Sequence, residues 1–178
     1  MHSDDNDGFW KVALSDVLLN GERLQVCTTQ CYAILDTGTS LIGMPKAMAT
    51  KVLQQINLSP NCSNVDMLPY LNFQMGTVSY RLAPEDYVMQ TDGVEEMVPK
   101  KGFLDERPNS KKEYVMRTSK RCAVAITEML MPDGLENTVV LGDPFIRKYY
   151  TVFSRKTKEV GFATAKHSEP KKLLKESF

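Results

Sequence analysis

Hydrophobic and polar residues alternate over much of this chain, with the two-residue period that is typical of β-strands. The alternation begins at 10–14. Two further apolar runs, 17–19 and 24–26, flank Asn20-Gly21, a pair that suits a two-residue hairpin turn because both residues tolerate positive φ. The chain is therefore predicted to open with short antiparallel strands.

One segment follows the helical period instead. Apolar residues in 45–56 recur three and four positions apart, after a proline that suits the first turn of a helix. Shorter helices are predicted at 84–88 and 143–149, the latter with Asp143 as its N-cap. Further strands are predicted at 32–35, 71–75, 78–82, 123–129, 138–141, 151–153 and 160–163. The predicted fold is mainly β, with a sandwich or barrel-like core and two or three short helices.

Two stretches depart from this pattern. Residues 91–121 are rich in charge, glycine and proline and show little periodicity, so they are predicted to form a long, mobile surface insertion. Residues 166–178 form a polar tail, for which a frayed end is expected rather than docking of Leu173 and Leu174. The domain itself is expected to occupy residues 1–165.

Composition narrows the classes of partner. The 178 residues include 22 Lys and Arg and 22 Asp and Glu, so the formal charge is zero and gives no reason to expect nucleic acid or an anionic membrane as the main partner. No uncharged apolar run approaches the roughly 20 residues of a membrane span. Residues 1–10 are polar and acidic, unlike a signal peptide, so a secreted protein would carry its targeting segment outside this chain.

The four cysteines are Cys27, Cys31, Cys62 and Cys122. A zinc site would need all four thiols, because the two histidines lie near the termini, and only one cysteine pair is close in sequence. The spacing favours two disulfides and an oxidising compartment over zinc, with reduced buried thiols as the remaining alternative.

The strongest chemical signal follows directly on the buried run 33–35 and reads Asp36-Thr37-Gly38-Thr39-Ser40. A carboxylate at the end of a buried strand is costly unless it is hydrogen-bonded. Gly38 allows a tight turn that brings backbone N–H groups to Asp36, and the two threonines offer hydroxyl groups at short range. By itself such a tripeptide is weak, because Asp-x-Gly also occurs in ordinary turns.

The surrounding residues make the signal specific. The block 33–41 resembles the second catalytic motif of the pepsin-like aspartic proteases, of the cathepsin D and plasmepsin type. Other blocks resemble the same family in the same order over about residues 8–165, namely Gly8–Val12, Cys27-x-x-x-Cys31, Pro84–Tyr87, Val139–Phe153 and Val160–Ala163. The resemblance implies the C-terminal half of a two-lobed, mainly β acid protease fold.

The resemblance also implies roles for single residues. Asp36 would be one of two catalytic aspartates, supported by Thr37, Gly38 and Thr39, with Ser40 contacting the substrate backbone. Met129 and Val140 would line pockets beside the scissile bond, although the plainer alternative is that both are only sheet residues. No metal or cofactor is expected. The pairing expected from the family pattern is Cys27–Cys31, with Cys62–Cys122 closing the base of the insertion.

The departures from the family concern the other half of the enzyme. Only one Asp-[Thr/Ser]-Gly motif is present, so the N-terminal lobe with the second aspartate and the flap is missing. The chain is therefore expected to be a fragment that needs that lobe to cleave peptides. The alternatives are a symmetric homodimer joining two copies of Asp36, as in retroviral proteases, and an inactive lobe that binds peptides.

Two further sequence features bear on this interpretation. Asp143 is the only other carboxylate expected near the site, and a helix N-cap is its preferred interpretation. Two glycosylation sequons, Asn57-Leu58-Ser59 and Asn61-Cys62-Ser63, agree with a secretory route ending in an acidic vacuole, a lysosome-like compartment or outside the cell.

Overall fold

The computed structural model describes residues 8–99, 114–167 and 174–175. The described chain is mainly β, as the sequence predicts, with three short α-helices. A five-stranded sheet in the order β1-β4-β11-β5-β10 forms its centre. Its strands are β1 (Lys11–Leu14), β4 (Cys31–Leu35), β5 (Ile42–Met44), β10 (Ile126–Glu128) and β11 (Thr138–Leu141).

A four-stranded antiparallel sheet in the order β3-β2-β6-β7 lies next to it along the chain. Its strands are β2 (Asp16–Leu19), β3 (Glu22–Arg23), β6 (Leu71–Met75) and β7 (Val78–Leu82). The hairpin at Asn20-Gly21 is confirmed, because both residues have positive φ, 49° and 87°. The predicted strand at 24–26 is wrong: the backbone N–H groups of Gln25 and Val26 donate to the carboxylate of buried Asp16 instead of to a neighbouring strand.

The helices connect these sheets. They are α1 (Lys46–Gln55), α2 (Pro84–Tyr87), α3 (Asp143–Lys148) and a 3₁₀ turn at Val65–Met67. The long helix predicted at 45–56 is thus confirmed to within one residue at each end. In α3 the N-cap is Gly142, and Asp143 is the first helical residue. The predicted N-cap role of Asp143 is therefore wrong by one position.

The hydrophobic core lies between the central sheet and the four-stranded sheet. It includes alternate residues of the central strands, such as Ala33, Leu35, Val139 and Leu141, all at most 5% exposed. Buried Phe145 ties α3 to this core, because its ring lies 5.0–6.0 Å, centroid to centroid, from four other aromatic rings. Those rings belong to Phe73, Tyr80, Tyr149 and Phe162. The start of α3 is consequently fixed relative to the four-stranded sheet, through Phe73 and Tyr80, and to the later segments that carry Tyr149 and Phe162.

A separate antiparallel ribbon is formed by β8 (Val88–Pro99) and β9 (Tyr114–Val124). The sequence predicted no strand within the insertion at 91–121, and this is wrong for 91–99 and 114–121, which pair as antiparallel strands with an irregularity between Asp92 and Glu95. Residues 100–113 of the predicted insertion lie outside the described residues. The strands escaped prediction because most of β9 is exposed, so neither of its faces carries the apolar stripe that marks a half-buried strand.

The end of the chain also differs from expectation. Leu174–Lys175 forms β14, which pairs in parallel with Met89 and Gln90 of β8, whereas a frayed tail was predicted. Leu173 and the rest of the tail beyond 167 lie outside the described residues. A last two-stranded hairpin, β12 (Tyr149–Ser154) and β13 (Glu159–Thr164), is confirmed where the sequence predicts it, with each strand longer than predicted by one or two residues at each end.

Candidate active site

The loop 36–41 crosses the end of a strand that is not its neighbour in sequence. β11 lies between β4 and β5, parallel to β4 and antiparallel to β5, with Leu141 opposite both Leu35 and Ile42. The chain leaving β4 must therefore pass over the end of β11 to enter β5. The backbone N–H of Asp36 donates to the carbonyl oxygen of Leu141 at 3.2 Å, which fixes the start of this loop on β11.

Gly142 makes the close approach of these two segments feasible. A Cβ atom at this position would overlap the backbone carbonyl oxygens of Thr39 and Leu41. The next residue continues the contact, since the N–H of Asp143 donates to the Thr39 carbonyl at 2.9 Å. The loop that carries Asp36 is thus held against the β11–α3 junction by backbone contacts that only glycine permits at position 142.

The carboxylate of Asp36 is fixed through both of its oxygens. The N–H of Gly38 donates to Oδ1 at 2.9 Å, and the Thr39 hydroxyl donates to Oδ2 at 2.6 Å. The side chain is half-buried. Hydrogen bonds to an ionised oxygen are the stronger ones and set its orientation. The arrangement holds a carboxylate in one rotamer while leaving it partly open to solvent, which suits a group that accepts or donates a proton.

The other predicted site residues divide into two groups. Thr37 and Ser40 are exposed on the same loop as Asp36. Met129 and Val140 meet at Gly43, where an added Cβ would lie 2.6 Å from the Met129 methyl carbon and 3.4 Å from the Val140 Cβ. The structure therefore brings Met129 and Val140 close to each other at β5. Val140 directly precedes Leu141, whose carbonyl oxygen accepts the Asp36 N–H.

Asp143 occupies a different setting from Asp36. It stands in the first turn of α3, where a carboxylate is favoured by the partial positive charge of the helix end. Its backbone N–H contacts the Asp36 loop through the bond to the Thr39 carbonyl.

Two glycines and one aspartate shape the site without having been singled out in the sequence. Gly142 is needed for the close approach of the Asp36 loop, and Gly43 leaves room for the flexible end of the Met129 side chain. Buried Asp16 holds the backbone of Gln25 and Val26 just before Cys27. A glycine directly after the apolar run 139–141 is a usable signal for the first. A lone Asp in an apolar strand indicates a buried carboxylate only when the backbone N–H groups that donate to it are known.

Both disulfides expected from the family pattern are present in the structure, Cys27–Cys31 and Cys62–Cys122. The first ends at the first residue of β4, the strand that leads to Asp36. The second joins the loop after α1 to β9, and there the Cys122 N–H also donates to the Pro60 carbonyl at 2.8 Å. The described residues contain no other cysteine.

Helix α2 contacts the C-terminal end of α3. The Asp86 carboxylate accepts the N–H of Ala83 at 2.9 Å and lies 3.3 Å from the Lys148 ammonium at the end of α3. The Tyr87 hydroxyl donates to the Pro69 carbonyl at 2.6 Å, and burial raises the pKa of Tyr87. Tyr87 therefore serves as a neutral hydrogen-bond donor at any pH in the acid or neutral range.

Metal-binding clusters and membrane-spanning helices are both absent from the described ranges 8–99, 114–167 and 174–175. Within these ranges, no cluster of three or more His, Cys, Asp or Glu side chains is arranged to hold a metal ion. Nor do they contain a helix with the length and apolar character to cross a membrane.

Comparison with known proteins identifies a family for this chain. The family model described as eukaryotic aspartyl protease matches residues 2–165. Pepsin A of Sus scrofa is 30% identical over 165 residues, covering 88% of this chain and 36% of the pepsin sequence. Plasmepsin VI of Plasmodium berghei is 28% identical over 166 residues, covering 90% of this chain and 33% of its own length. Renin-2 of Mus musculus is 29% identical over 165 residues, covering 88% and 35%.

The match covers only part of each of these relatives. The chain spans about a third of the length of each, while nearly all of the chain takes part in the match. The family match extends over the Asp36 loop, Gly142 and both disulfides. The chain belongs to the eukaryotic aspartyl protease family and corresponds to a fragment of a pepsin-like aspartic protease.

Proposed function

We propose that this chain is the C-terminal lobe of an aspartic endopeptidase and that Asp36 is one of its two catalytic carboxyl groups. The observation that carries the proposal is the setting of Asp36. Its carboxylate is fixed by Gly38 and Thr39, at the end of a buried strand, and is still half open to solvent. Asp16 shows the contrasting setting of a buried structural aspartate, whose carboxylate oxygens accept backbone N–H groups inside the fold.

Peptide hydrolysis by this chemistry needs a second carboxyl group. One carboxylate accepts a proton from the attacking water, while a protonated carboxyl group donates to the carbonyl oxygen of the scissile bond. Two carboxyl groups close together share one proton, because two like charges at short distance cannot both ionise cheaply. Such a pair titrates as a unit and works in acid.

We assign the second role to a carboxyl group of another lobe rather than to one of this chain. The sequence carries one Asp-[Thr/Ser]-Gly motif. Asp143 is placed by its backbone bond to Thr39 and by the start of α3, and we assign it to the helix end rather than to proton transfer. The second aspartate would come from an N-terminal lobe, as the resemblance to the pepsin-like proteases implies. In agreement with this, the chain spans about a third of the length of the relatives it matches.

The substrate would be a peptide or protein bound across the Asp36 loop. Ser40, exposed on that loop, would contact the substrate backbone, and Met129 with Val140 would line a pocket beside the scissile bond. The two disulfides support passage through the oxidising secretory pathway. An acidic vacuole, a lysosome-like compartment or the extracellular space would provide the pH that a carboxyl pair requires.

The proposal is tested on the isolated chain with a fluorogenic acid-protease peptide at acid pH, while light scattering reports its mass. A monomer near 20.1 kDa is expected to show no cleavage. Cleavage by the monomer that disappears in Asp36→Asn would overturn the requirement for a second lobe. Cleavage that rises with the square of concentration, together with a doubled mass, would favour a homodimer that pairs two copies of Asp36.

A further inference from the structure

The loop between α1 and the 3₁₀ turn at Val65–Met67 carries chemistry that the proposed peptidase does not use. It contains two Asn-x-Ser sequences, Asn57-Leu58-Ser59 and Asn61-Cys62-Ser63, within seven residues. An Asn-x-Ser sequence is an acceptor for N-linked oligosaccharide when it lies in a surface loop of a protein that enters the secretory pathway. The two sequences differ in their structural setting, and this difference allows one to be chosen.

The first sequence is part of the packing of the loop. The side chain of Asn64 closes around it: its Nδ2 donates to the Asn57 carbonyl at 2.6 Å, and its Oδ1 accepts the Ser59 N–H at 2.7 Å. Leu58 packs against the hydrophobic core, and Ser59 is half-buried. The acceptor residue Asn57 is exposed, but the serine and the middle residue of its sequence are held within the folded loop.

The second sequence is open to solvent at both ends. Asn61 and Ser63 are exposed, and Cys62 between them turns the chain with φ of 64°. The Oδ1 atom of Asn61 accepts the N–H of Ser63 at 3.2 Å. This bond uses the carbonyl oxygen of the exposed Asn61 side chain and does not involve its amide nitrogen, Nδ2. A substituent on Nδ2 leaves the bond from Ser63 intact.

We propose that Asn61 is N-glycosylated and that Asn57 is not. The donor is a lipid-linked oligosaccharyl diphosphate. The bond from C1 of its first sugar to the diphosphate oxygen breaks, a bond from C1 to Nδ2 of Asn61 forms, the amide nitrogen loses one proton and the lipid diphosphate leaves. The disulfides Cys27–Cys31 and Cys62–Cys122 support the same compartment independently, because they form where this donor is available.

The glycan would stand at the base of the β8–β9 ribbon. Cys62, the middle residue of the acceptor sequence, is joined to Cys122 of β9, and the neighbouring Pro60 accepts the Cys122 N–H. Glycosylation here does not rest on the proposed peptidase activity, since the Asp36 loop contributes none of the acceptor residues. A failure of one proposal therefore leaves the other standing.

The test directs the full chain into the secretory pathway of cultured eukaryotic cells with a cleavable signal sequence. Gel mobility under denaturing conditions is compared before and after peptide N-glycosidase F for the wild type, Asn61→Gln, Ser63→Ala, Ser63→Thr and Asn57→Gln. One glycan is expected on the wild type, Ser63→Thr and Asn57→Gln, and none on the other two. Fragment mass spectra of the glycosidase-treated peptide should show Asp at position 61 and Asn at 57.

Two results would overturn the proposal. One is a wild-type chain whose mobility the glycosidase does not change, although the signal sequence has been removed. The other is a glycan that survives in Asn61→Gln and disappears in Asn57→Gln. Poor folding of a variant does not obscure the outcome, because the gel also reads cell-associated chains and Ser63→Thr keeps the acceptor sequence intact.

Discussion

The Asp36 loop and the β8–β9 ribbon are fixed in opposite ways. The loop 36–41 is short and is held by backbone contacts from β11 and the start of α3, which are distant in sequence. The ribbon is long, and most of β9 is exposed. Its described ties to other segments lie near its base, at Cys62–Cys122, at the bond from Cys122 to Pro60 and where β14 pairs with Met89 and Gln90. Position is therefore specified tightly where chemistry is proposed and loosely along the ribbon.

The two regions also differ in how strongly single residues determine their geometry. In the loop, single residues carry the geometry, since Gly142 has no substitute that avoids the Thr39 and Leu41 carbonyls. In the ribbon, one comparable position is Gly93, where an added Cβ would overlap the backbone of Ser119. It lies at the irregularity in register between Asp92 and Glu95. Apart from disulfide-bonded Cys122 and buried Val88, the rest of the ribbon is expected to tolerate substitution.

The largest expected effect on stability comes from removing the disulfide at the base of the ribbon. Replacing Cys62 and Cys122 together by Ser opens a loop of 60 residues and is expected to lower the free energy of unfolding by about 4 kcal/mol, from the chain-entropy relation. The matched control replaces Cys27 and Cys31, whose separation is 4 residues, and is expected to cost about 2 kcal/mol. Urea unfolding measures both, and an equal or reversed order would contradict the assignment.

A smaller but more local effect is expected at the site. Gly142→Ala forces the Asp36 loop away from the β11–α3 junction and is expected to cost about 1–3 kcal/mol, as overpacking does in well-packed interiors. Gly161→Ala is the control, because its Cβ would lie 3.8 Å from Val152, an ordinary contact. Denaturant unfolding should separate the two variants, whereas similar midpoints would show that the loop can move freely.

The hydroxyl group of Thr39 is expected to matter less for stability than Gly142. Thr39→Val keeps the shape of the side chain and removes the bond to Asp36 Oδ2, at an expected cost of about 1.5 kcal/mol, the lower value for bonds to charged groups. Thr39→Ser retains the hydroxyl group and should lie closer to the wild type. The expectation fails if Ser and Val destabilise the chain equally.

The smallest effect is a pH dependence outside both regions. The Gly134 N–H donates to the Glu136 carboxylate at 2.9 Å and lowers the pKa of Glu136. A carboxyl group whose folded pKa is depressed stabilises the fold above its unfolded pKa, and this contribution disappears as pH falls through the folded pKa. Glu136→Gln should therefore lower the unfolding midpoint slightly at pH 7 and leave it unchanged in strong acid. A deficit that persists in acid would point to another cause.

Much of the fold was predictable because local rules and tertiary structure agree there. The Asn20-Gly21 turn, α1 and the buried strand before Asp36 each follow from residue type and period. The Asp36 motif was recognisable because its donors, Gly38 and Thr39, lie within three residues of it.

The remaining features depend on contacts between residues that are distant in sequence or on the absence of a buried face. The strand expected at 24–26 does not form because Asp16, nine and ten residues away, takes the N–H groups of Gln25 and Val26. The ribbon strand β9 is mostly exposed and so carries no burial pattern. The meeting of Met129 and Val140 at Gly43 arises only when β5 pairs with β11 on one side and with β10 on the other.

The central claim is that Asp36 is half of a catalytic pair completed by another lobe. It is tested most directly in a two-lobed chimera, in which residues 8–165 replace the matching region of pig pepsin A, assayed on a peptide substrate in acid. The wild-type chimera should cleave, Asp143→Asn should keep most activity, and Asp36→Asn should lose at least about 100-fold, the lower end of general acid–base catalysis. A folded wild-type chimera without activity, or an Asp36→Asn chimera that cleaves at the wild-type rate, would contradict the account.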